Sequence, residues 1–194
     1  MRYKKYTFQF PNFTKAAKSD ADDATFFDCD FSAVQNINLS GFKSVVFSGW
    51  NTVLRPSSII QITNCKSVRF ENTPFQNEQS TLNITDAEFI TFDRVTGTYK
   101  MKLQTQKCGE ITYHESTLNF DTSNVHAKRF KIAGSQITQI KTLDFTGVTE
   151  EFQLNASNVF DLQEMILRPR VAMYIDSLYD AKKILQPITH FRER

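Results

Sequence analysis

Short segments in which apolar and variable residues alternate recur along the chain at nearly regular intervals. Each consists of an apolar residue, a variable residue and a second apolar residue, so both apolar side chains point to one face of a strand. Six such cores are VVF at Val45, VRF at Val68, ITF at Ile90, ITY at Ile111, FKI at Phe130 and FQL at Phe152. Their first residues are separated by 23, 22, 21, 19 and 22 positions. This spacing is typical of the coils of a solenoid.

Other positions of the repeat also keep their character from coil to coil. Residues three positions before each core are mostly small and are expected to point into a tight corner: Phe42, Cys65, Ala87, Cys108, Ala127 and Thr149. Alternating segments before the corners begin at Ile37, Ile60, Leu82, Met101 and, more weakly, Leu143. Apolar residues also follow each core, at Val53, Phe75, Val95, Leu118, Ile137 and Val159. Three inward-facing segments in each period predict a triangular coil, in which like side chains stack on like.

The stretches IQITNCKSVRFENTPF and LNITDAEFITFDRV resemble coils of right-handed parallel β-helices. This is the fold of pectate lyases, polygalacturonases and many phage and surface proteins, and the resemblance covers roughly residues 25–160. The leucine-rich repeat is a competing solenoid, because its frame also fits CKSVRFENTPF, CGEITYHESTL and AKRFKIAGSQI. However, its first position holds Cys or Ala instead of Leu, and the far side alternates like a strand. We therefore predict an all-β fold, a right-handed parallel β-helix of about six to seven coils.

The two ends of the chain are expected to cap this stack. We assign residues 1–24 to an N-terminal cap, 25–160 to the parallel β-helix and 161–194 to a C-terminal helical cap or tail. In the first segment Phe8, Phe10 and Phe13 are expected to cover the first coil. In the last, RVAMYIDSLYDAKKIL predicts a C-terminal α-helix, because its apolar residues recur at helical spacing. The apolar face of this helix comprises Val171, Ile175, Leu178 and Leu185.

Composition fits a β-rich chain and identifies no partner. The 23 basic and 21 acidic residues of the 194 are interspersed and give a net charge of +2, so no strong field attracts nucleic acid or acidic membranes. Eighteen Phe and many branched residues favour strands. Only six Gly and five Pro argue against a sandwich with many hairpins.

The cysteines and the hydropathy pattern indicate the cellular compartment in which the protein is expected to fold. Three cysteines, Cys29, Cys65 and Cys108, have no C-x-x-C spacing and predict neither a disulfide framework nor a zinc site. Two of them fall in the corner column and are expected to be packing residues. The chain shows no apolar run of signal-peptide length near its start and none that spans a bilayer, so we expect a cytoplasmic protein.

The sequence contains no recognisable arrangement of catalytic residues. His114, His126 and His190 have no partner at metal-ligand spacing, and phosphate-loop and nucleophile-elbow motifs are absent. The resemblance to polysaccharide-cleaving β-helices implies clustered acids on one outward face. The candidates do not fall at equivalent coil positions: Asp86, Asp93, Glu115, Asp121, Asp144 and Arg129. We expect no catalytic residues, no cofactor and no metal site.

The outward column of the repeat is the candidate binding face, since its polar residues are expected to face water. After Val46 it consists of Arg69, Thr91, Thr112, Lys131 and Gln153. Charges on neighbouring coils are expected to pair, Lys66 with Glu88, Lys128 with Glu150 and Arg129 with Glu151.

These features predict a non-enzymatic β-solenoid, a scaffold that binds another protein or a second copy of itself. It would act through the outward column or through the C-terminal helix. The alternative is a carbohydrate-binding or polysaccharide-cleaving β-helix. An outward groove with two carboxylates and an exposed aromatic residue would favour that alternative.

Overall fold

All the described secondary structure of the protein is β, and the strands stack in parallel as a β-solenoid of about six turns. The structure, a computed structural model, describes residues 1–54, 57–75, 80–97, 101–118, 120–121, 124–137, 142–159, 164–167, 171–175 and 190–193. The far side of each coil is a strand, as the β-helix interpretation requires. The predicted all-β parallel solenoid is therefore confirmed.

Each coil has three faces, as the three inward-facing segments predict. Face 1, the longest, consists of β1 (Arg2–Lys4), β3 (Asp23–Phe27), β6 (Ser44–Ser48), β13 (Cys108–His114), β20 (Ala172–Ile175) and most or half of β8 (Ile59–Glu71), β10 (Thr81–Asp93), β16 (Ala127–Ile137) and β18 (Val148–Val159). Face 2 contains short strands, β4 (Asp30–Phe31), β7 (Val53–Leu54), β9 (Pro74–Phe75), β11 (Thr96–Gly97) and β14 (Thr117–Leu118).

Face 3 is built from the strands that precede the tight corner of each coil. Its strands are β2 (Asn12–Ala16), β5 (Asn36–Ser40), β12 (Met101–Gln106), β15 (Phe120–Asp121), β17 (Thr142–Phe145), β19 (Glu164–Leu167) and β21 (His190–Glu193). The first halves of β8 and β10 belong to the same face, because these strands run through the corner onto face 1.

The predicted core column is confirmed residue by residue. Val45, Val68, Ile90, Ile111, Phe130 and Phe152 are partners in successive parallel strand pairs, and each is at most 1% exposed. The corner column holds for its first five members, which are buried. The prediction for its last member, Thr149, is wrong. A register shift pairs Ala127 with Val148, so Val148 is buried and Thr149 is exposed.

Stacked aromatic rings run through the interior next to this column. Tyr3, Phe26, Phe47, Phe70, Phe92 and Tyr113 form an unbroken series in which neighbouring rings are 4.3–5.5 Å apart and nearly parallel. Phe130 and Phe152 continue the stack at wider spacing. Offset or parallel aromatic pairs add to the free energy of burial. The unusual number of Phe residues is thus used largely to build this interior.

Single residues in the left-handed region of φ make two of the three corners. Between faces 1 and 2 they are Lys5, Asp28, Gly49, Asn72, Arg94, Glu115 and Gly134, with φ from 47° to 103°. Between faces 3 and 1 they are Gly41, Asn64, Asp86 and Lys107, with φ from 53° to 73°. Because most of these residues are not glycine, a chain with only six Gly makes many tight turns.

Small or hydroxyl side chains are buried directly after the corner between faces 1 and 2. Ser116 shows their role, since its hydroxyl donates to the carbonyls of Phe92 and His114 and accepts from Val95 N. Of the predicted third apolar positions, Phe75 and Val95 are buried. The predicted inward position of Val53 is wrong, because Val53 is 46% exposed and Leu54 is buried in its place. The side chains of Leu118, Ile137 and Val159 lie outside the described ones.

The N-terminal segment adds strands to the stack. β1 pairs with β3, and β2 pairs with β5. Phe8 is buried and stacks on Phe31 at 4.5 Å, and Phe13 packs against the core. Phe10 is 76% exposed, so it does not cover the first coil as predicted. The domain boundaries at 24 and 160 stay a prediction.

The predicted C-terminal helix is wrong at its beginning. Ala172–Ile175 form β20, which pairs in parallel with β18, and Val171 packs against the core. The physical reason is that the edge of β18 offers backbone partners to an extended segment, which helical periodicity cannot reveal. Leu178 and Leu185 lie outside the described residues, as does the rest of the predicted helix.

The three cysteines are buried, free thiols. Burial raises the pKa of Cys29, Cys65 and Cys108, although backbone hydrogen bonds oppose the effect. We expect the native protein to react very slowly with a thiol reagent such as Ellman's reagent near pH 8, since little thiolate forms and access is blocked. Denaturation should release all three thiols. Rapid labelling of the native protein would contradict this prediction.

Candidate functional site

The residues of the predicted outward column form a continuous file on face 1. Val46, Arg69, Thr91, Thr112, Lys131 and Gln153 are partners in register from strand to strand. Their side chains are exposed or partly exposed. The structure therefore brings together the residues predicted for the binding face. Their spacing along the stack follows the strand spacing of about 4.8 Å.

Ion pairs within face 1 hold the two cations of this column. Arg69 lies 2.6 Å from Glu71, and Lys131 Nζ lies 3.2 Å from Glu110 Oε2. Arg129 also contacts Glu110, at 3.2 Å, instead of the predicted partner Glu151. These contacts fix the long side chains in place, so face 1 presents an ordered and largely compensated charge pattern.

Two predicted pairs between neighbouring coils are confirmed at the edge of face 1. The distances are 3.8 Å between Lys66 and Glu88 and 3.8 Å between Lys128 and Glu150. Both pairs are exposed on either side, and such pairs contribute less than about 1 kcal/mol each. They therefore help to set the register between neighbouring coils and add little to the stability of the fold.

Asp93 and His114 form the closest acid–histidine contact among the described residues. His114 Nδ1 lies 2.8 Å from Asp93 Oδ1, and Arg94 donates to the other carboxylate oxygen at 2.8 Å. Partial burial raises the pKa of Asp93, but the hydrogen bonds from His114 and Arg94 and the charge of Arg94 lower it below its ordinary value. Asp93 is thus held ionised, which suits an ion pair and not a proton donor.

The remaining acids considered for catalysis are dispersed. Asp86 and Glu115 are corner residues with positive φ, and Asp144 accepts hydrogen bonds from Thr146. The side chain of Asp121 lies outside the described ones, as does that of His190. Within the described part of the chain, no group of three or more His, Cys, Asp or Glu side chains is placed to hold a metal ion.

Exposed aromatic residues interrupt the polar surface of face 1 and its edge. Phe27 is 40% exposed, Phe89 is 38% exposed and Trp50 is 57% exposed. Phe89 occupies an outward position between Ser67 and Glu110, where the alternation of the strand does not require an apolar residue. Sequence reasoning missed these residues, because it examined the polar column and not its neighbours.

A groove of about 880 Å³ lies beside Phe89 at the corner between faces 3 and 1. Lys107, Lys128 and Arg129 line it together with Phe89. Its lining also includes Gly109, where the backbone of Glu88 comes so close that there is no room for a side chain. A Cβ at Gly109 would collide with the carbonyl oxygen of Glu88.

A second, smaller pocket of about 380 Å³ surrounds Trp50 at the corner between faces 1 and 2. Its lining includes Phe27, Asp28, Trp50 and Glu71. Here Trp50 and Asn51 are two extra residues compared with the single-residue corners, and they form a turn closed by Thr52 N donating to Gly49 O at 3.0 Å. The sequence signal for this turn was the only Trp, in the stretch SGWNT.

Face 3 differs from face 1 because its outward residues are mostly neutral amides and hydroxyls. Asn38, Gln61 and Asn83 are neighbours in register. The amide of Asn38 donates to Thr14 at 3.3 Å, and Asn36 donates to Asn12 at 2.7 Å. These contacts fit a stabilising role for this face.

Comparison with known proteins finds no matching family model, no matching curated protein and no matching solved structure. In the part of the chain that the structure describes, no helix has the length and apolar character needed to cross a membrane.

Proposed function

We propose that this protein is a right-handed parallel β-helix that acts without catalysis, as a scaffold that binds another protein through face 1. The observation that supports the proposal is the exposure of Phe27, Phe89 and Trp50 beside arginine and carboxylate side chains. Aromatic residues and Arg are enriched in protein interfaces, and Trp and Arg are enriched among the residues that contribute most to binding. The right-handed winding is supported by the strong preference of parallel crossover connections for that hand.

The rigidity of face 1 supports the same proposal. Its inner strands are paired on both sides, and ion pairs hold Arg69 and Lys131 in place before any partner binds. Because these side chains lose little freedom on association, the entropic cost of binding is reduced. The groove beside Phe89 offers a pocket into which a side chain of the partner can insert.

The partner is proposed to be another protein or a second copy of this chain. The predicted interaction helix with Leu178 and Leu185 stays part of this proposal, as an alternative contact region. We also propose that the protein is cytoplasmic, because its sequence shows no apolar run of signal-peptide or membrane-spanning length.

Affinity capture from the native host tests face 1. We expect the double variant Arg69→Ala/Lys131→Ala, and the single variant Phe89→Ala, each to recover at least about tenfold less of a specific partner than the unaltered chain, since hot-spot truncation costs more than about 1 kcal/mol. Binding of the purified partner is then measured by calorimetry. The matched control is Gln61→Ala/Gln104→Ala on face 3, which should bind normally. Equal binding by all variants would exclude face 1.

A further inference from the structure

We infer that the pocket around Trp50 binds a single arginine side chain of the partner protein, with the guanidinium stacked on the indole and paired with Asp28. This inference rests on the proposed function, because it names the chemistry that the partner presents. It depends on three features of the pocket: an exposed indole on an anchored turn, a carboxylate beside it that has no ion-pair partner among the described residues, and a neighbouring ring that already carries a cation.

The platform is an exposed indole on a turn that is anchored on both sides. Thr52 N donates to Gly49 O at 3.0 Å, and the hydroxyl of Thr52 donates to Ser48 O at 2.8 Å. Asn51 N donates to Asp28 Oδ1 at 3.2 Å, which ties the turn to the coil before it. Trp50 is not among the buried residues of the core, so packing gives no reason for the extra two residues. A preorganised aromatic ring binds at low entropic cost.

The carboxylates of the pocket leave one negative charge without a counterion. Glu71 is neutralised by Arg69 at 2.6 Å. Asp28 accepts a backbone hydrogen bond, but no cation of the described residues forms an ion pair with it. A monovalent cation in the pocket would therefore balance its charge.

A cation of the chain already lies over an aromatic ring beside this pocket. Lys4 Nζ lies 5.7 Å from the centre of the Phe27 ring, and Phe27 lines the Trp50 pocket. Indole binds cations more strongly than the phenyl ring does. The larger and better platform, Trp50, is left for an external ligand.

Arginine fits the pocket better than the other ligands that an exposed Trp accepts. A guanidinium is planar, so it stacks on indole and at the same time donates to a carboxylate beside the ring. A neutral sugar would also stack, but it would cover Asp28 without compensating its charge, which costs free energy. The pocket volume of about 380 Å³ is sufficient for one long side chain.

The only Trp of the chain provides a direct reporter. The probes are the tripeptide glycyl-arginyl-glycine, blocked at both ends, and its citrulline analogue, which has the same shape without the charge. At low ionic strength we expect the arginine peptide to quench or shift Trp50 fluorescence saturably, with an affinity about tenfold higher than that of the citrulline peptide. Added salt should reduce this difference.

Two variants separate the charge from the ring. In Asp28→Asn the side-chain oxygen still accepts from Asn51 N, so the turn is kept and only the charge is lost. We expect this variant to bind the arginine peptide about five- to tenfold more weakly. In Trp50→Leu, measured by calorimetry, the preference for arginine over citrulline should disappear. Phe10→Ala is the control, because it removes an exposed aromatic residue that belongs neither to this pocket nor to face 1.

Three results would overturn the inference. They are equal affinity for the arginine and citrulline peptides, no response to the arginine peptide at the highest soluble concentration, and a saturable response to cellohexaose in place of the peptide. Each is distinct from a failure of the proposed function, which appears as equal partner binding by the face 1 and face 3 variants. An arginine-selective pocket on a chain whose face 1 variants bind normally would restrict the interface to the Trp50 corner.

Discussion

Replacement of Phe70 by alanine is expected to lower the free energy of unfolding by about 3–5 kcal/mol. Phe70 is fully buried and lies between Phe47 and Phe92 in the aromatic stack, at ring distances of 5.2 and 5.3 Å. Phe75 contacts it from face 2 at 5.3 Å. Removal of the ring therefore leaves a cavity in the middle of the solenoid and breaks contacts to both neighbouring coils. Urea unfolding followed by circular dichroism measures the change.

The position of Phe70 also predicts a loss of cooperativity. Coils contact mainly their neighbours, so the interface terms between them hold the stack together as one unit. We expect Phe70→Ala to broaden the urea transition and Phe70→Leu to have a smaller effect, because leucine fills part of the space. Phe10→Ala is the control, since Phe10 is 76% exposed and should change stability by less than about 0.5 kcal/mol. A loss below about 1 kcal/mol at Phe70 would contradict the role of the stack.

The repeat could be read from the sequence because strand alternation and coil stacking constrain the same residues. An inward residue such as Val68 must be apolar for its own strand and must also match Val45 and Ile90 on the strands that pair with it. A one-residue slip would move every side chain to the other face. Consequently the file of core residues and the outward column next to it were both predictable.

Single insertions could not be placed from spacing alone. The extra residue that moves Val148 into the corner lies in a coil whose length is within the range of the others, so Thr149 was an equally good match. In the same way Trp50 and Asn51 lengthen one corner and move Leu54 inward instead of Val53. The pairing of the backbone determines which of two neighbouring residues faces inward, and the residue types alone do not reveal that pairing.

The functional surface was predictable only in part for a related reason. The column with Arg69 and Lys131 followed from alternation, but their ion partners depend on side-chain geometry across strands. Arg129 shows this, because both Glu110 and Glu151 are its neighbours in register and only Glu110 lies within an ion-pair distance. The Trp50 pocket depends on a turn with two extra residues, and the periodicity of the sequence does not predict such a turn.

Replacement of Gly147 by alanine is expected to destabilise the protein by about 2–3 kcal/mol, because a Cβ there would collide with the backbone of the preceding coil. The ideal Cβ position falls on the carbonyl oxygen of Val125 and lies 2.9 Å from His126 Nδ1. A carbonyl in a neighbouring coil cannot move aside as a flexible side chain can. The two coils must therefore separate locally, which weakens the hydrogen bond from Ala127 N to Gly147 O at 3.2 Å. Thermal and urea unfolding measure the loss.

Gly134→Asn is the matched control, because it tests backbone conformation without a collision. Gly134 has φ of +59°, and the nearest atom to its ideal Cβ is Glu115 Cγ at 3.7 Å. Equivalent corners carry Asn72, Arg94 and Glu115 at similar φ, and asparagine accepts the left-handed region at low cost. We expect this variant to change stability by less than about 1 kcal/mol. Equal losses of stability in the two glycine variants would contradict the close approach of the coils at Gly147 as the cause.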